Sequence, residues 1–238
     1  MSNVLDRVDA YVAEHHHSNR SFVKEVLAGR STPHGLRRWA TQKYHQTYEQ
    51  NRTFSAIHSN SPWEAVRQFM VEQLIAEETG LDAGSAAHYE LMRRFAIAMG
   101  ATAEEIRTST ACPQVSRFVD FLMRSCRKPS FLDGMLPIYI NESQAHDSAS
   151  KLYTYLKSNY KLSEHDLEWF WVHGEVDKEH SGRGRALIAK YAPLDPDFER
   201  RALEIAEQAC NEWLLLHDFY ASLLENREDR STECAATH

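Results

Sequence analysis

The chain is poor in the residues that punctuate β architecture. Nine Gly and seven Pro in 238 residues supply too few turn positions for a sandwich or barrel, which reverses direction roughly every 8–12 residues. Four Cys stand at 112, 126, 210 and 234 with no Cys-x-x-Cys pair. The sequence therefore predicts reduced thiols, not a disulfide frame or a thiolate metal site. No uncharged apolar run approaches the ~18 residues that a bilayer span requires, and the acid-bearing N-terminus lacks the apolar centre of a secretory signal. A basic excess is missing too. Lys and Arg number 27 against 34 Asp and Glu, a net charge of −7, which leaves no electrostatic footprint for nucleic acid. Together these absences predict a cytoplasmic protein with neither a membrane nor a nucleic-acid partner.

What is present is helical periodicity and histidine. Hydrophobic residues make up 42% of the chain and charged residues 26%, enough for an ordinary globular core. Apolar positions recur with a period near 3.6, as in Val4, Leu5, Val8 and Val12, or Leu91, Met92, Phe95 and Met99. Thr32-Pro33, Ser61-Pro62 and Asp195-Pro196 read as helix starts and Gly80 and Gly100 as stops. Ser163 reads as a cap, and Pro137 should kink or restart a long helix over about 131–156. The expectation is a single all-α domain of seven or eight helices over 1–228, with a non-periodic tail at 229–238 expected to be disordered.

Thirteen His make ionisable side chains on apolar faces the informative feature. His173, Asp177 and His180 stand at i, i+4 and i+7, within about 60° of arc on one stripe with Phe170 and Leu187. His88 leads the stripe Leu91, Met92 and Phe95. Glu78 lies four residues beyond Leu74 and eight beyond Met70, and Glu77, close behind, could substitute for it. Glu142 falls among Ile138, Ala145, Ala149, Leu152 and Leu156, with His146 one turn on as an extra ligand or supporting partner. Glu77 or Glu78 alone is more often an ordinary surface acid at a helix end, whereas a lone Glu142 on its stripe would be a serious desolvation defect. Three inward carboxylates with three inward imidazoles have one economical explanation, a pair of cations. Carboxylate and imidazole without thiolate suit iron or manganese.

This pattern resembles the haem-oxygenase-like diiron oxidases, relatives of the pyrroloquinoline-quinone synthesis and thiaminase-II folds. The resemblance runs from about Leu36 to Gly184. It rests on Glu78 followed ten residues later by His88, on Glu142, on His173-x-x-x-Asp177-x-x-His180, and on the aromatic segment LRRWATQKYHQTYEQ. It implies a seven-helix bundle, often a homodimer, holding two Fe(II) ions through those six residues and using dioxygen as co-substrate. The implied substrate is a small amino-acid-like molecule, and an external electron donor is compatible. One similar branch converts a halogenated (brominated) tryptophan to an indole nitrile. Under this reading Phe131, Met135, Ile138 and Trp171 are candidate pocket walls, and Arg183 or Arg185 could grip a substrate carboxylate. Rival readings are a ferritin-like bundle, a haem-binding protein and a metal-free or cofactorless bundle of the same fold. The ferritin-like bundle needs two Glu-x-x-His motifs where only Glu14-x-x-His17 exists. A haem protein would use one of His15 to His17 as axial ligand, although the sequence reads these as a solvated helix end.

Overall fold

Helices begin where polar-then-proline pairs place them. Thr32 caps α3 (Pro33–Gln50) by accepting the Gly35 N–H at 3.0 Å, with Pro33 in the first turn where its missing donor costs nothing. Ser61 Oγ accepts the Trp63 N–H just before α5 (Glu64–Thr79), and Gly80 ends that helix in the left-handed region, φ 66°. The computed structural model describes residues 4–19, 21–81, 84–175 and 177–224, without the side chains of 19, 21, 175 and 177–181. The remaining helices are α1 (Val4–Glu14), α2 (Ser21–Leu27), α4 (Arg52–Asn60), α6 (His88–Ala98), α7 (Ala103–Thr108), α8 (Pro113–Cys126), α9 (Phe131–Asn159), α10 (Glu168–Glu175), α11 (Asp177–Tyr191) and α12 (Phe198–Ser222). No strand occurs among the described residues. The all-α expectation holds, with twelve α-helical segments among the described residues instead of seven or eight, because short breaks such as Asn51 divide what the apolar period joins.

α9 is the central column and packs against α8, α10, α11 and α12. It runs through Pro137 as one helix, so the chain does not restart there, and packing on several sides holds the turn that lost one hydrogen bond. Gly134 permits a close approach, since a Cβ there would sit 2.6 Å from Cys126 Cα of α8. Ser163 opens a turn, not a helix: it exchanges bonds with Asp166, and α10 begins only at Glu168.

Among the described residues, no helix is long and apolar enough to cross a membrane. Cys126 and Cys210 are free and buried, whereas Cys112 is disulfide-bonded, so reduced thiols hold for two of the four. Cys234 and the tail from 225 lie outside the described residues.

Candidate metal centre

Glu77, His88 and His173 cluster beside one small cavity, which α3, α5, α9, α10 and α12 line. Glu77 comes from the last turn of α5 and His88 from the first residue of α6. Gly80 brings the two together. Its αL backbone lets the connecting loop fold back so tightly that Ala86 occupies the space a Cβ would need. His88 Nδ1 lies 3.0 Å from Glu77 Oε2, and the His88 and His173 rings are 4.6 Å apart. One ligand atom from each of Glu77, His88 and His173 falls within 4.8 Å of the others. Glu142, from α9, lines the same cavity of about 50 Å³ with Glu77 and His173.

The electrostatics suit a cation. Burial works against the Glu77 carboxylate, but His88 above all, then His173 and Lys43, hold it ionised with a pKa of about 2. Burial, helped by His88, pushes His173 down to about 3 against the opposing pull of Glu77, so the ring is neutral at neutral pH. Its Nδ1 donates to the Trp169 carbonyl at 2.8 Å. That bond puts the proton on Nδ1, makes Nε2 the lone-pair nitrogen and fixes the ring plane, which is also stacked on Trp169 at 4.0 Å. One carboxylate with two imidazoles, without thiolate, fits iron. Glu142 faces the same cavity as a further oxygen donor.

Against the sequence reading, Glu78 is exposed and Glu77 takes the inward place. The side chains of Asp177 and His180 lie outside the described residues. His146 is half-buried, and its Nδ1 has no hydrogen-bond partner among the described residues. The expected pocket walls lie elsewhere. Phe131, Met135 and Ile138 are core residues that do not reach the cavity. Trp171 is 48% exposed, whereas its neighbour Trp169 faces inward. Arg183 is exposed and pairs with Glu72 at 2.5 Å. Arg185 ties α11 to α1 through Asp6 and Asp9.

His17 is buried, not solvated. It accepts the Trp213 indole N–H on Nδ1 at 2.9 Å and meets Ser148 Oγ with Nε2 at 2.7 Å. Both ring nitrogens are engaged, which leaves neither for a haem iron. Sequence reasoning missed Lys43, although it sits four residues past Trp39 and seven past Leu36 on an apolar face, the same signal that marked the other sites.

A family model described as iron-containing redox enzyme matches residues 37–213. The chain belongs to that family. It is 26% identical over 243 residues to the 4-aminobenzoate synthase of Nitrosomonas europaea, covering 98% of this chain and 97% of that one. Its fold matches a TenA homologue from Pseudomonas syringae pv. tomato with a TM-score of 0.76 at 8% identity, covering 92% and 93% of the two chains. A domain with a haem-oxygenase-like fold from Shewanella denitrificans matches with a TM-score of 0.71 at 14% identity, covering 92% and 89%. The haem-oxygenase-like bundle and the iron-containing redox family expected from the ligand pattern are thus both found.

Proposed function

We propose that this family member is a non-haem diiron oxidase that uses dioxygen to form a small aromatic amino compound of the 4-aminobenzoate class. The observation that carries the reading is the cluster of Glu77, His88 and His173, two of which, Glu77 and His173, line a cavity shared with Glu142. The Nitrosomonas europaea relative's name supplies the product class. Two Fe(II) ions would be held by Glu77, His88, Glu142 and His173, with Asp177 and His180 completing the set. When bound, iron of this ligand type supplies the electrons that reduce dioxygen.

The chain's own residues prepare the site. The Trp169 carbonyl holds the proton on His173 Nδ1 and aims Nε2 inward. Trp169 and Trp213 wall the cavity with indole and limit water. Lys43, held down to about 7 by burial, offsets part of the negative charge that Glu77 and Glu142 present to an anionic substrate. The cavity is that of a small ligand, which favours a single ring over the brominated tryptophan and indole nitrile of the similar branch.

The test is anaerobic ferrous loading of the full chain, metal analysis, then oxygen exposure with mass-spectrometric detection of 4-aminobenzoate and related amines. About two irons per chain and oxygen-dependent product are expected. A chain that takes up no iron under these conditions contradicts the reading.

A further inference from the structure

The Glu77, His88 and His173 cluster is also held from outside the cavity. Glu168 is the first residue of α10, next to Trp169 and on the same helix as His173. Ser85, in the connection that carries the chain from Glu77 to His88, donates its hydroxyl to Glu168 Oε1 at 2.5 Å. Arg94, further along α6 from His88, donates from Nη1 to Glu168 Oε2 at 2.8 Å. His165 Nδ1 stands 3.8 Å from that second oxygen. The two oxygens of one carboxylate are thus taken by segments on either side of His88, while its backbone belongs to the helix of His173. None of Ser85, Arg94 and Glu168 lines the cavity.

The His88 end needs such a hold. α6 starts after Ala87 with no side-chain cap, so His88 sits in an uncapped first turn, where helices fray. The connection before it closes on itself through the Ser85 N–H, which donates to the Gly80 carbonyl at 2.9 Å. The Ser85 hydroxyl then fastens that turn to α10. Metal affinity depends on ligand atoms kept within about 0.5 Å of their productive places. Global stability depends far less on such a contact, because the Arg94 and Glu168 side chains are 30% and 25% exposed and solvent screens their attraction.

We propose that Glu168 is a positioning residue for the metal site. Through Ser85 and Arg94 it sets the spacing between His173 on α10 and the Glu77–His88 pair on α5 and α6. The inference rests on the metal reading of that cluster and adds a residue that touches neither metal nor substrate. A carboxylate in a first helical turn also suits the helix dipole. That role would act on α10 alone and would not involve the Ser85 hydroxyl.

The experiment compares ferrous affinity of the full chain, from anaerobic competition with a chelator, with thermal unfolding of the metal-free chain. Glu168→Ala should weaken ferrous binding at least about tenfold, as loss of a residue that orients ligands does. Ser85→Ala keeps the carboxylate and deletes one hydroxyl, so it folds even where Glu168→Ala does not. It should weaken binding in the same direction while the melting temperature moves by no more than about 4 °C. In the double variant the two losses should not add, since both break one contact. Glu168→Gln retains one carbonyl acceptor and should recover part of the affinity. Arg117→Met breaks the Arg117–Glu212 pair at 2.7 Å, which ties α8 to α12, and neither helix carries a member of the cluster. It should leave ferrous affinity within about twofold. Unchanged ferrous affinity in Ser85→Ala and Glu168→Ala overturns the assignment whatever happens to melting, and so does an equal loss in Arg117→Met. An unmodified chain that takes up no iron removes the proposed function and this inference together. Iron uptake that the Ser85 and Glu168 variants leave untouched removes this inference alone.

Discussion

One peptide step separates Glu77 from Glu78, and the ~100° turn between them decides which carboxylate meets His88. Glu77 Oε2 is 3.0 Å from His88 Nδ1, whereas Glu78 is exposed. Glu77→Gln should therefore lower ferrous affinity at least about 100-fold, more than loss of a supporting partner does. Glu78→Gln should leave it unchanged. Metal content after anaerobic loading and desalting distinguishes the two, and equal loss in both variants would remove Glu77 from the site. The inward-carboxylate signal was legible in the sequence, but not to a single residue. Counting from Met70 and Leu74 points to Glu78, while the buried run Val66, Phe69, Met70, Gln73 and Ala76 points to Glu77. Lys43 was equally legible in position, but an ammonium cannot ligate a metal and so falls outside a pattern of carboxylates and imidazoles. His17 misled for the opposite reason. Its polar neighbours His15 and His16 suggested solvent, and only the Trp213 and Ser148 contacts, over a hundred residues away in sequence, bury it.

At the scale of elements, periodicity and caps located the helices because both are local, whereas the behaviour of α9 depends on contacts no local pattern records. Pro137 is tolerated inside a helix packed on several sides, and at Gly134 the α8 backbone lies where a Cβ would need room. Gly134→Ala should cost about 1–3 kcal/mol, because the new methyl meets Cys126 Cα at 2.6 Å and a backbone atom cannot rotate away. Gly182→Ala is the contrasting case. Gly182 is a helical position in α11 with nothing within 4 Å of a new Cβ, so Ala should add up to ~1 kcal/mol of helix stability. Thermal melts should move in opposite directions, by about 2–4 °C per kcal/mol for a chain of this size. A neutral Gly134→Ala would mean that the α8–α9 contact gives way more easily than its backbone spacing indicates.

For the whole molecule, three buried imidazoles couple folding to pH. Burial, with His16 adding to it, pushes His17 down to about 3. Burial with His88 pushes His173 to about 3 as well, and burial with His17 holds His217 well below its ordinary value. Each folded-state pKa lies below the unfolded value of ~6.5, so the unfolded chain binds protons that the folded chain refuses. Above pH 6.5 both states are neutral at these rings and the rings contribute no pH dependence. As pH falls from 6.5 towards 3 the folded state loses ground, with three protons taken up on unfolding. Glu77, held at about 2, adds a loss of the same sign only below its ordinary pKa near 4.5, so the window from 6.5 to 4.5 belongs to histidine. Three protons correspond to about 4 kcal/mol per pH unit once the unfolded rings are protonated, a large slope against a total stability of about 5–15 kcal/mol. Urea unfolding of the metal-free chain at pH 7.0, 6.0, 5.5 and 5.0 measures that slope. His217→Phe keeps the ring volume and removes one of these protons; burial lowers His16 and His45 as well, so the slope should fall by up to a third. An unchanged slope would mean that His217 already carries its proton in the fold, and the stacked pair His17–His217 would then have to hold a buried positive charge.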